Sequence, residues 1–167
     1  MNDKPALKQG QKVKWEQGRF VPKHPQKYIG NPNGIIYRSS WEKKFSQWCD
    51  TTPSVVRWGS EEIVIPYQSP KDGRMHRYFV DYVVWTMTPD GLKKFLVEIK
   101  PSAECSMPKP PKRRSLYESY RRKLETFAVN REKWKYAREW CRQHGYGFLI
   151  LTENELNKAS ANRRRRK

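Results

Sequence analysis

Cysteine and histidine are too few and too scattered to organise this chain. Cys49, Cys105 and Cys141 are odd in number and share no short spacing, which argues against a disulfide framework and against a zinc knuckle. His24, His76 and His144 are equally dispersed, and all six residues read as structural or incidental. Long apolar runs are missing as well. The amino terminus is polar and no hydrophobic stretch approaches the ~18 residues of a membrane span, so neither a signal peptide nor a membrane helix is expected. These absences point to a reducing, cytoplasmic setting, or to a particle assembled there.

Acidic residues are the other scarcity. Seventeen Asp and Glu stand against 35 Lys and Arg, and the formal charge of +18 predicts attraction to a polyanion, nucleic acid foremost. A ribosomal-type or other basic structural component is the second reading of that charge. Hydrophobic residues make up only 36%, but seven Trp, nine Tyr and six Phe each bury a large area, so a single domain of 167 residues has a feasible core.

With so few acids, two carboxylates in apolar strands stand out. The run Leu92 to Lys100 alternates, with Phe95, Val97 and Ile99 on one face, Leu96, Glu98 and Lys100 on the other, and Pro101 as the stop. His76 to Trp85 reads as a second strand that is apolar on both faces except for Asp81. A buried carboxylate is costly unless a cation compensates it. Thr88-Pro89-Asp90-Gly91 suits a type I turn between the strands. If Thr88 pairs with Gly91, Asp81 lies opposite Glu98, about 5 Å away at Cβ, where two like charges destabilise a sheet unless an ion sits between them. A bulge at Gly91 would instead set Asp81 across from Ile99.

Around this pair the chain divides by composition. Residues 1–37, dense in Lys, Gln, Gly and Pro, read as a basic arm tied down by Trp15, Phe20 and Tyr28. Ser39-Ser40-Trp41-Glu42 opens a helix to about Asp50 with Trp41, Phe45, Trp48 and Cys49 inward. Glu42 is either the third position of a capping box on Ser39 or a carboxylate reaching across a cleft to a metal or a water. Val55–Trp58 and Ile63–Tyr67 read as strands, with Glu61 and Glu62 between them solvated. Pro108 to Arg114 is an extended basic loop, placed to contact DNA or to serve as a linker. From Ser115 to Gly145 the pattern is helical. Leu116, Tyr120, Leu124 and Phe127 form one stripe, Trp134, Ala137 and Cys141 another, and Asn130 is a candidate break. The outer faces carry Arg121, Arg122 and Lys133 among other cations, the pattern of a solvated helix face. Phe148–Leu151 reads as a fully buried strand. Thr152 and Glu155 cap a short terminal helix, and Arg163 to Lys167 form a disordered cationic tail.

The order of a helix, a meander carrying Asp81 and then Glu98-Ile99-Lys100, a long helix and a strand resembles the PD-(D/E)XK nuclease superfamily. Lys27-Tyr28, Tyr37 to Glu42, Cys49-Asp50, Ile65-Pro66-Tyr67, Val97 to Pro101, Val129-Asn130 and Phe148 to Glu153 are most similar to the head completion nucleases of tailed phages. They also resemble transposon-end endonuclease subunits, which usually add a second DNA-binding domain not expected here. Val80 stands where the superfamily expects proline before the first Asp; since proline coordinates nothing, no ligand is lost.

The resemblance implies an α/β, restriction-endonuclease-like core: a mixed sheet with an antiparallel three-strand meander flanked by helices, in the order α-β-β-β-α-β. It divides the chain into an arm (1–37), a nuclease domain (38–159) and a tail (160–167). It implies Glu42, Asp81, Glu98 and Lys100 as catalytic residues, and Asp81, Glu98, Glu42 and the Ile99 carbonyl as ligands of Mg²⁺, with Mn²⁺ as substitute. DNA contacts are expected from Lys109, Lys112, Arg113, Arg114, Arg121, Arg122, Arg163, Arg164, Arg165 and Arg166. The implied job is preparing the packaged DNA end in host cytoplasm and virion, beside portal-proximal head or neck proteins. A non-catalytic DNA-binding neck protein and a transposon-type end-cleaving nuclease are the alternatives.

Overall fold

The computed structural model describes residues 17–156. In chain order these form β1 (Gly18–Arg19), β2 (Ile36–Tyr37), α1 (Ser40–Thr51), β3 (Val55–Ser60), β4 (Val64–Gln68), β5 (Met75–Phe79), β6 (Tyr82–Thr88), β7 (Gly91–Ile99), α2 (Tyr117–His144) and β8 (Gly147–Leu151). The fold is mixed α/β and restriction-endonuclease-like. Its four-stranded sheet runs β3-β6-β7-β8, antiparallel except for the parallel β7–β8 pair, and β4 and β5 form a separate two-stranded ribbon.

Period-two alternation sorts β7 as its sequence requires. Val97 and Ile99 join Phe45 and Cys49 of α1 with Val55, Trp58, Tyr82 and Val84 in one buried cluster. Leu96 turns the other way, to Val83, Ile65, Tyr67, Tyr78 and Val80 and to Ala137 and Cys141 of α2. The sheet is thus covered on both faces, and Glu98 faces the α2 side.

The expected continuous strand 76–85 is two strands. Tyr78 and Val80 pack on the α2 side, whereas Tyr82, which would share their face in a straight strand, packs on the α1 side. The backbone turns over between them. Val80 N–H donates to Ile63 C=O at 3.0 Å as the last link to the β4 side, and Asp81 C=O accepts from Glu61 N–H at 3.2 Å. Asp81 therefore sits at the changeover between ribbon and sheet.

Three other expectations are corrected. Asn130 does not interrupt the second helix: α2 is one helix of 28 residues, and buried Asn130 points its amide toward Glu104 at 3.5 Å. The early stripe is not core, with Leu116 51% exposed; this end of α2 faces the 101–109 segment instead of the sheet. β8 is an edge strand rather than a fully buried one, and Leu149 is 41% exposed. Its apolar composition reflects the two flanking faces, but among the described residues no strand pairs its outer edge.

The segment before α1 is anchored by one buried carboxylate. Asp50 accepts from the backbone N–H groups of Lys23 (2.7 Å) and His24 (2.9 Å), and Lys27 Nζ donates to the carbonyls of Asp50 (3.1 Å) and Thr52 (2.8 Å). Phe20 and Tyr28 stack edge-on against buried Trp58. Trp15 lies outside the described residues. Among the described residues no helix is long and apolar enough to cross a membrane.

Candidate active site

The geometry begins with the hairpin. Thr88 pairs with Gly91 and the register runs without a slip to Tyr82 opposite Val97, one residue short of Asp81 and Glu98. Gly91 supplies the turn with a φ of +103°, a conformation open to glycine at little cost. Asp81 Oδ2 accepts from Ile99 N–H at 2.8 Å, which folds its carboxylate onto the end of β7.

Glu98 is buried, 2% exposed, and both of its oxygens are engaged. Lys100 Nζ lies 3.1 Å from Oε1, and Tyr78 Oη donates to Oε2 at 2.6 Å. The ribbon therefore delivers Tyr78 across the sheet end to fix the carboxylate, while Lys100, two residues on, stays on the same face. Tyr78 had no recognisable signal in the sequence, because the bend that follows it lies in a run that is apolar on both faces but for Asp81.

The electrostatics follow from two acids sharing one low-dielectric corner. Burial raises the Asp81 carboxyl above the ordinary aspartate value, and neighbouring Glu98 raises it further; Lys100 and the Ile99 N–H pull the other way. Burial works against the Lys100 ammonium, but Glu98 and Asp81 outweigh it and hold its pKa above the usual lysine value. Burial and the bonded Glu98 push the Tyr78 hydroxyl far up, so it remains a donor. Lys100 thus pairs directly with Glu98 alone while Asp81 adds a second negative charge to its surroundings, and the corner favours a further cation.

The donor set fits a hard divalent ion. Carboxylate and carbonyl oxygens suit Mg²⁺, which is commonly held by one or two carboxylates while keeping several waters. Asp81 and Glu98 supply two carboxylates, with the one of Asp81 held on the Ile99 N–H at the end of β7. Among the described residues no three His, Cys, Asp or Glu side chains converge as a larger cluster.

Glu42 realises the cap. Ser39 Oγ accepts from Glu42 N–H at 3.1 Å, and the Glu42 carboxylate accepts from Ser39 Oγ at 3.1 Å and from Arg38 N–H at 2.7 Å. Its charge is nevertheless felt at Asp81. Arg38 carries the fields of Glu61, Glu42 and Asp81 and pairs with Glu61, whose φ is +58°. Glu61 is therefore in an ion pair rather than merely solvated.

The residues expected to touch DNA fall into separate places. Lys109 and Arg122 line a groove of about 470 Å³ between the segment after Pro101 and the first half of α2. Lys112, Arg113 and Arg114 are exposed on the same loop. Arg121 and Arg122 are exposed and pair with Glu118 at 3.2 and 3.7 Å. Arg163, Arg164, Arg165 and Arg166 lie outside the described residues. Lys133, read as part of a wet face, is half-buried, with its ammonium 5.4 Å from the Tyr78 ring centre. Its spacing was the signal: three residues after Asn130 and four before Ala137, it belongs to the inward stripe.

Two comparisons set this geometry among known proteins. Residues 52–153 match the family model described as TnsA-like endonuclease N terminal, a span that includes Asp81, Glu98 and Lys100 and leaves out Glu42. Over 146 residues the chain is 41% identical to the head completion nuclease of Enterobacteria phage T4, covering 83% of this chain and 92% of that protein. The family model covers more than half of the chain, so the chain belongs to the TnsA-like endonuclease family.

Proposed function

We propose that this protein is a Mg²⁺-dependent endonuclease that hydrolyses phosphodiester bonds in DNA, with Mn²⁺ as a working substitute. The supporting observation is the buried Glu98, paired with Lys100 at 3.1 Å, with a second carboxylate, Asp81, held on the Ile99 N–H at 2.8 Å. Asp81, Glu98 and the Ile99 carbonyl would hold the ion, with Glu42 reaching it through water. When bound, the ion supplies Lewis acidity, lowering the pKa of water and offsetting charge on phosphoryl oxygens.

The chain's own groups do the rest. Lys100, held charged by its two acidic neighbours, acts as a donor: it orients the attacking water and meets the charge that develops on the phosphate. Tyr78 keeps Glu98 in one rotamer. Lys109, Lys112, Arg113, Arg114, Arg121 and Arg122 would follow the sugar–phosphate backbone, and the tail arginines 163–166 would add contacts that read no sequence.

The T4 relative is named for head completion. Extending that to this chain, the substrate is the packaged DNA end, and the setting is the host cytoplasm and the virion, beside head or neck proteins near the portal. A non-catalytic neck protein that binds DNA would account for the charge of +18 but has no use for a buried Glu98 with a second carboxylate, Asp81, beside it. Incubating the purified protein with supercoiled plasmid tests the proposal. Nicked or linear product in Mg²⁺ and none in chelator is the expected result; intact plasmid in both Mg²⁺ and Mn²⁺ overturns it.

A further inference from the structure

The cations of α2 differ in partner and in exposure: among the described residues Lys123, Arg131 and Arg138 make no ion pair and are exposed. Arg121 and Arg122 pair with Glu118, Lys135 with Glu132 and Arg142 with Glu139, each within one helical turn. Lys133 has no such acid: Val129, Asn130, Tyr136 and Ala137 occupy the positions three and four residues away. It is also the inward one. Its stem is half-buried, and its ammonium stands over two aromatic rings, 5.7 Å from the centre of Tyr67 and 5.4 Å from that of Tyr78.

Those rings lead to the carboxylate corner, because Tyr78 is the residue that donates to Glu98. Burial lowers the pKa of Lys133, Glu98 and Asp81 draw it up, and Lys100 pushes it down, so all three site charges are in its field. Yet Lys133 is not the partner of Glu98: Lys100 is paired with Oε1 and Tyr78 donates to Oε2. Among the described residues Lys133 makes no ion pair. Ring faces offset part of the cost of burying an ammonium. They do not neutralise it.

We infer that Lys133 is a phosphate-binding residue: its ammonium takes the non-bridging oxygens of a backbone phosphate of the strand held at the Asp81–Glu98 corner. The inference rests on the nuclease reading for its substrate. A lysine suits the task as a compact point charge on a flexible stem, and the two rings set the direction of that stem in advance of binding. Two lysines then approach the substrate from different elements, Lys100 from β7 and Lys133 from α2.

Lys133→Met keeps the apolar stem on the rings and removes the charge. Binding of a labelled DNA duplex in chelator, measured against salt, reads the charge without any cleavage. The slope of log K against log salt is expected to become shallower by about 0.9, the value of one phosphate contact. Lys133→Arg is expected to retain the wild-type slope. In Mg²⁺, the single-turnover cleavage rate of Lys133→Met is expected to fall by about tenfold or more. Acylation of Lys133 in the wild-type protein, read by peptide mass spectrometry, should be blocked by the duplex, which keeps the test independent of how any variant folds. An unchanged slope, or a Lys133 acylated equally with and without DNA, overturns the inference. A wild-type protein that binds but never cleaves defeats the nuclease reading instead and leaves the slope to decide this one.

Discussion

Tyr78 and Glu98, on strands belonging to different sheets, are joined by a 2.6 Å hydrogen bond that ties the β4–β5 ribbon to the carboxylate end of β7. The bond converts a bend in the backbone into a fixed orientation for an acid.

Replacing Tyr78 with Phe keeps the ring and removes the donor. One oxygen of a buried carboxylate then lacks a partner, which costs about 1–3 kcal/mol. Loss of a group that orients a metal ligand lowers activity by about 10–100-fold. Urea unfolding and single-turnover cleavage of Tyr78→Phe check the two effects separately.

Asp81 trades stability for function. Asp81→Asn preserves an acceptor for Ile99 N–H and removes the repulsion with Glu98, so in chelator the variant is expected to be more stable than wild type by about 0.5–2 kcal/mol. It is expected to lose cleavage and the stabilisation that Mg²⁺ confers on the wild type, while still binding DNA. The urea midpoint with and without Mg²⁺ measures this.

The raised Asp81 pKa also sets a pH dependence. Its folded value lies above its unfolded one, so its contribution is fully present below about pH 4 and is lost as pH rises through the elevated folded value. An ion that binds the deprotonated form reverses this loss. The upward shift in melting temperature caused by Mg²⁺ is therefore expected to grow from pH 5 to pH 8, and thermal melts at those two values measure it.

Glu42 separates cap from site. Ser39→Ala removes the acceptor for Glu42 N–H and should cost about 1 kcal/mol with little change in cleavage. Glu42→Gln keeps much of the cap's hydrogen bonding but removes the charge, and is expected to slow cleavage more than Ser39→Ala does. Equal rates for the two variants would make Glu42 a cap alone.

The hairpin was legible because alternation and one turn determine it. Thr88-Pro89-Asp90-Gly91 set the register, which runs unslipped to Tyr82 opposite Val97, and the Asp81 carboxylate next to it accepts from Ile99 N–H. The bend at Val80–Asp81 was not legible, since Tyr78 to Val84 is apolar on both faces apart from Asp81 itself. What bends it is long-range, a hydrogen bond from Val80 to Ile63 and another from Glu61 to Asp81. Asn130 read as a break because a buried amide in mid-helix needs a distant partner, here Glu104, that local pattern does not reveal. Lys133 shares a face with Asn130 and Ala137, and only the stacking on Tyr67 and Tyr78 distinguishes it from a solvated lysine.

The account depends on a divalent ion lodging between Asp81 and Glu98. Titrating Mn²⁺ into the protein while following the resonance of the free ion tests this most directly. The wild type should remove Mn²⁺ from solution, with Asp81→Asn and Glu98→Gln each binding markedly less. Wild-type protein that leaves all Mn²⁺ free, or variants that bind it equally well, would contradict the account.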